Sequence, residues 1–181
     1  VIGHRMFPGW ISGPDAWWYD TIIVNERFPR TLLCLFTGIA LAAAGTVMQG
    51  LLRNPLVSPF TLGVSTAASF GAAITIVFGS SLFGAWFYDS WSFYGIKITI
   101  ENFLLIIFSF LFGMFSILLV LKVARKDASR STLVLSGVVI SYLFQAGISF
   151  SKYVSDDEAL REISNWLMGG MWNATWSAII I

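Results

Sequence analysis

Asp, Glu, Lys and Arg are absent from five long stretches of this chain, residues 31–52, 54–88, 102–121, 131–151 and 163–181, which together hold 117 of its 181 positions. A helix rises about 1.5 Å per residue, so roughly 20 uncharged, mostly apolar residues cross a hydrocarbon core about 30 Å thick. Charged residues make up only 12% of the chain, against about 25% in soluble domains, too few to clothe a globule of this size. The pattern is that of a polytopic membrane protein, and the expected fold class is all-α, a polytopic transmembrane helical bundle.

Other classes recede on the same reading. A formal charge of +1 offers no basic field for nucleic acid. Cys34 is the single cysteine and His4 the single histidine, so neither a disulfide framework nor a Cys- or His-rich metal site is expected. No residue is assigned as catalytic, metal-binding or cofactor-binding, and no cofactor is expected. The chain opens Val1-Ile2-Gly3-His4 and closes Trp176-Ser177-Ala178-Ile179-Ile180-Ile181 inside an apolar run, which predicts a piece of a longer chain.

Within one transmembrane domain over 1–181, spans are expected near 31–52, 61–80, 102–121 and 131–151, with a truncated fifth from about Trp172. Arg53-Asn54-Pro55 stops the first with a charge and a helix breaker. Pro59 suits the start of the second, which is left open to a re-entrant beginning. The loops 53–60 and 122–130 are short and carry five bases against one acid, which places them in the cytoplasm and residues 1–30 outside. The connection 81–101 is rich in aromatics from Trp86 to Tyr94 and reads as a segment lying along the membrane interface, or else as a contact surface for a partner or ligand.

Small side chains recur at helical spacing in every span: Gly38, Ala42, Gly45 and Gln49; Gly63, Ala67, Gly71 and Thr75; Ser109, Gly113 and Ser116; Gly137, Ser141, Gln145 and Ser149. Such stripes let helix backbones approach closely in lipid and predict one bundle. Gln49 and Gln145 place amides where hydrocarbon would leave them unsatisfied. Each reads either as an interhelical hydrogen bond or as part of a solute path, and Ser141, Gln145 and Ser149 are the candidate path-lining set. Gln49, Asn54 and Pro55 are candidates for packing or gating beside a cytoplasmic partner. Asp156, Asp157, Glu158 and Glu162 form an acidic outer patch, either a solvated helix start or a docking point for an extracellular partner. No carboxylate lies inside a span, which weakens proton-coupled transport and intramembrane catalysis.

At this point the residues resemble a known family. Arg27-Phe28-Pro29-Arg30, Gly45-Thr46-Val47-Met48-Gln49, Arg53-Asn54-Pro55-Leu56-Val57-Ser58-Pro59, Leu62-Gly63-Val64-Ser65, Leu133-Val134-Leu135-Ser136-Gly137 and Trp166-Leu167-Met168-Gly169-Gly170 follow the order of motifs in the FecCD-type, BtuC-like permeases of ABC importers. The resemblance covers the chain but only the N-terminal half of the family's usual length. It implies a ten-span permease in the cell membrane, a homodimer around a central path, with two cytoplasmic ATPase subunits and an extracellular or periplasmic substrate-binding protein. ATP hydrolysis would belong to the partner, so this chain is expected not to be an enzyme. The first span here would be the family's second, 131–151 would help line the path, and the acidic patch would face the binding protein. The main cytoplasmic coupling segment of the family would lie beyond Ile181. The implied cargo is a ferric siderophore or related iron or metal chelate, with haem and cobalamin as alternatives. A secondary transporter or channel-type bundle is the competing class.

Overall fold

In the computed structural model, residues 22–93, 96–124 and 129–171 are described, together with 174, 176 and 179. Four long helices dominate. They are α1 (Phe28–Leu52), α2 (Val64–Phe83), α3 (Ile100–Ala124) and α4 (Arg130–Val154). A π-helical turn, Ile23–Arg27, precedes α1, and a 3-10 turn, Pro59–Leu62, precedes α2. A second 3-10 turn, Gly84–Tyr88, leads into an antiparallel hairpin of β1 (Ser90–Phe93) and β2 (Ile96–Thr99), with Trp91 opposite Ile98. A short helix, α5 (Asp157–Met168), follows α4. The four long helices are each long and apolar enough to cross a membrane, and the protein is an all-α, multi-pass membrane protein whose only strands among the described residues are that hairpin. The fifth span expected from about Trp172 falls mostly outside the described residues.

The chain forms two compact units, Val1–Ala40 with Gly170–Ile181, and Leu41–Gly169. In the first, the π-turn closes through the Phe28 amide donating to the Ile23 carbonyl. Pro29 follows at once and has no amide to offer, so a regular α-turn here would lack that bond in any case. Trp176 Nε1 donates to the Val24 carbonyl at 3.1 Å, and its ring lies 5.9 Å from Phe28.

In the second unit α2 is central, packed by α3 and α4 along its length and by α5 near its C-terminal half. The stripe expected on this helix is its buried face: Gly63, Ala67, Gly71 and Thr75 are all buried, and Thr75 returns its hydroxyl to the Gly71 carbonyl at 3.0 Å. A Cβ at Gly71 would stand 2.5 Å from the Phe108 carbonyl oxygen, which is why glycine is needed where α2 and α3 cross. One ring from each helix fills the centre. Phe70 meets Phe112 edge-on at 5.3 Å and Phe144 at 5.7 Å, around buried Ala67, Val120 and Ile140.

The second span begins later than 61, because Gly63 sits at φ +75° and breaks the backbone between the 3-10 turn and α2. Its start is drawn into the bundle. Ser116 Oγ, fully buried in α3, donates to the Leu62 carbonyl at 3.2 Å, and the Thr61 and Leu62 backbone fills the place where a Cβ at Gly137 of α4 would be. Ser116 lies eight residues, about 12 Å, before the end of α3, so α2 starts well below the ends of its neighbours.

The small-residue stripes elsewhere fare differently. Gly38 and Gly45 of α1 have nothing within 4 Å of where a Cβ would stand, so no close approach is made there among the described residues. On α4 the stripe begins packed at Gly137 and ends exposed at Gln145 and Ser149. Steps of four residues advance 400°, 40° beyond a full turn, so three such steps rotate the row by roughly 120°. The packed face of α4 instead runs through Gly137, Ile140, Phe144, Ile148 and Ser151.

Candidate transport path and its flanking surfaces

The three residues singled out on α4 are not equivalent. Ser141 is half-buried, donates to the Gly137 carbonyl at 2.8 Å, and its Oγ lies 2.8 Å from where a Cβ at Gly63 would stand. Its hydroxyl is engaged by its own helix, and the residue packs the start of α2. Gln145 and Ser149 are exposed, and Ser149 donates to the Gln145 main-chain carbonyl at 3.1 Å. Two further residues share this face. Tyr142 and Tyr153 are 72% and 86% exposed, and the spacing 142, 145, 149, 153 keeps all four within one stripe of the helix. A four-residue step from Gly137 passes over the tyrosines, whereas steps of three and four from Gln145 reach them. The face offers an amide, hydroxyls and aromatic rings, and residues 131–151 contribute no charge to it. It can hydrogen-bond and stack against a solute without fixing a charge.

At the opposite end of α1, the chain reverses tightly. Arg53 takes a left-handed conformation at φ 46°, and the Asn54 amide donates back to the Gln49 carbonyl at 3.2 Å. The Gln49 side chain then spans the turn, Nε2 donating to the Pro55 carbonyl at 3.2 Å, while Asn54 Oδ1 accepts from the Leu56 amide at 3.0 Å. Gln49, Asn54 and Pro55 are thus brought together as one braced turn. Gln49 satisfies its amide locally, not across helices.

The acidic patch is the start of α5. Asp156 is the N-cap, its Oδ1 accepting from the Ala159 amide at 2.9 Å, and Asp157 and Glu158 occupy the first turn, where the helix dipole favours negative charge. Ile163, buried against Ala73 and Ile148, fixes the helix to the bundle and leaves the acids exposed. The Glu162 carboxyl is held above the usual carboxylate range, first by partial burial and then by the charges of Glu101 and Glu158. Glu101 opens α3, so this pair brings the base of the hairpin and α5 to one end of the bundle. Among the described residues there is no cluster of His, Cys, Asp or Glu suited to a metal ion.

Comparison with known proteins matches this arrangement to one group of membrane components. The chain is 35% identical to the hemin transport system permease protein HmuU of Yersinia pestis over 176 residues, covering 94% of this chain and 46% of that protein. It is 36% identical to the molybdate import system permease protein MolB of Haemophilus influenzae over 162 residues, covering 88% and 42%. A solved metal-chelate type ABC transporter in an inward-facing conformation superposes with a TM-score of 0.73 at 32% identity, over 95% of this chain and 49% of that one. The chain therefore spans about half the length of the proteins it matches. The profile of the FecCD transport family covers residues 6–181, and the chain belongs to that family.

Proposed function

We propose that the chain forms part of the permease of an ATP-driven importer that carries a metal chelate, a ferric siderophore before haem or cobalamin, by alternating access. The observation that carries this reading is the family match over residues 6–181, supported by the likeness to a metal-chelate type ABC transporter. The permease would work as a homodimer, with ATP hydrolysis in cytoplasmic ATPase subunits and cargo delivered by an extracellular or periplasmic binding protein. Gln145 and Ser149 would line the path, with Ser141 holding the wall behind them. An exposed amide in mid-span is costly against lipid, about 4–8 kcal/mol for transfer to a medium without hydrogen bonds, so this face suits water or protein. The braced turn at Gln49, Asn54 and Pro55 would lie on the cytoplasmic side, and Asp156, Asp157, Glu158 and Glu162 outside, toward the binding protein.

In cells, deleting the cognate binding protein should abolish high-affinity uptake of the chelate by the full complex. Unchanged uptake would refute the proposal. Competition among a ferric siderophore, hemin and cobalamin in the same assay identifies the cargo.

A further inference from the structure

The 3-10 turn and the hairpin between α2 and α3 carry rings that the bundle does not bury. Trp86, Tyr88 and Trp91 are 49%, 64% and 65% exposed, while Phe87 between them is buried beneath Gly79. The base is fixed: the Asp89 amide donates to the Trp86 carbonyl at 3.2 Å, and the Ile100 amide donates to the Asp89 carbonyl at 2.9 Å. These bonds hold the backbone of the turn and the start of the hairpin at the end of the spans.

Their depth follows from helix register. Gly71 lies against Phe108, and α2 and α3 run antiparallel, which sets Gly79 level with Ile100. Phe83, the last residue of α2, then stands four residues beyond Ile100, about 6 Å at 1.5 Å per residue. Phe87 folds back to Gly79 and Asp89 to Ile100, so the turn and the start of the hairpin occupy a layer of about that depth. The hydrocarbon edge is marked on α3 itself. Residues 102–121 carry no charge and measure about 30 Å, the thickness of the core, with Glu101 just outside. A headgroup layer adds about 5–7 Å on each side. The layer that holds Trp86, Tyr88 and Trp91 coincides with it.

We infer that the Trp86, Tyr88 and Trp91 surface binds the headgroup layer of the membrane and anchors the α2–α3 end of the bundle in it. Indole and phenol rings suit this layer because each joins an apolar body to a hydrogen-bonding edge. Between Gly84 and Trp91 the only charged side chain is Asp89, whereas a water-soluble partner at this end would meet the acids of α5. A two-stranded hairpin with four-residue strands is marginal in water by itself, and seating Trp91 of β1 at the interface, with Trp86 and Tyr88 of the turn before it, supplies burial that the protein does not.

The test uses the full protein in phosphatidylcholine nanodiscs whose lipids carry a spin label either at the headgroup or at mid-chain. Subtracting the fluorescence of a Trp86→Phe/Trp91→Phe variant from that of the parent isolates the two indoles. Their emission should be quenched at least threefold more strongly by the headgroup label than by the mid-chain label. Emission quenched by aqueous acrylamide but by neither lipid label would overturn the inference. So would emission that changes only when the cognate binding protein is added, which would make the surface a protein dock. If the double variant does not fold, the single variants Trp86→Phe and Trp91→Phe are subtracted in turn and read against the same criterion.

Discussion

The crossing of α2 and α3 at Gly71 gives the sharpest prediction. In a Gly71→Ala variant the new methyl would stand 2.5 Å from the Phe108 carbonyl oxygen and 2.8 Å from its carbon, both backbone atoms that cannot rotate aside. Carbon contacts are optimal at about 3.5–4.0 Å, so α2 and α3 must part locally by roughly 0.7–1.2 Å. That movement would loosen Ala67 and Thr75 on the same buried face. Overpacking of this kind costs about 1–3 kcal/mol. Replacing glycine by alanine inside a helix also returns about 0.5–1 kcal/mol through lower unfolded-state entropy. Gly45→Ala supplies the reference, because nothing lies within 4 Å of its Cβ position. The difference in unfolding free energy between the two variants therefore isolates the clash, at about 1–3 kcal/mol. Reversible unfolding in mixed micelles titrated with SDS, followed by tryptophan fluorescence, measures it. Two variants within about 0.5 kcal/mol of each other would show that the crossing is not the close contact described.

Three further outcomes follow from single contacts. Ser116→Ala removes the hydroxyl that reaches the Leu62 carbonyl and should cost about 0.6–1.7 kcal/mol in the same titration, the range of interhelical hydrogen bonds in membranes. Asp156→Ala uncaps α5 and should weaken it by about 0.5–2 kcal/mol, seen as faster hydrogen exchange at the Ala159 and Leu160 amides, while Asp156→Asn should change little. The folded-state pKa of Glu162 is raised, so its contribution to stability is fully present below the unfolded pKa and is lost as pH rises through the folded one. Glu162→Gln should accordingly stabilise the protein at neutral pH and flatten its stability profile across the acidic range, which thermal unfolding at stepped pH will show.

The membrane class and the four spans were legible because charge is excluded from hydrocarbon, and that constraint writes itself into every run of about 20 residues. Span ends were less so. Gly63 reads in sequence as one more small residue, and only its left-handed backbone reveals that 61–63 is a turn drawn into the bundle. The stripe on α2 was legible because its four-residue steps coincide with a face packed by two helices. On α4 the same rule drifted from the packed side to the exposed one, so Ser141 and Gln145 parted company and Tyr142 and Tyr153 went unnoticed. The helix start in the acidic run was legible because Asp is favoured at an N-cap, and Asp156 caps α5. The hairpin was not legible as strands, since an aromatic, turn-rich connection has no helical or alternating period long enough to read.

The central claim is that the chain works in a pump driven by ATP. It is tested most directly in proteoliposomes that hold the full permease, its ATPase subunits and its binding protein, with radioactive iron supplied as a ferric siderophore. Accumulation should require ATP on the ATPase side, stop with vanadate and be indifferent to ionophores. Accumulation that continues without ATP and collapses when an ion gradient is dissipated would contradict the account and assign the bundle to secondary transport.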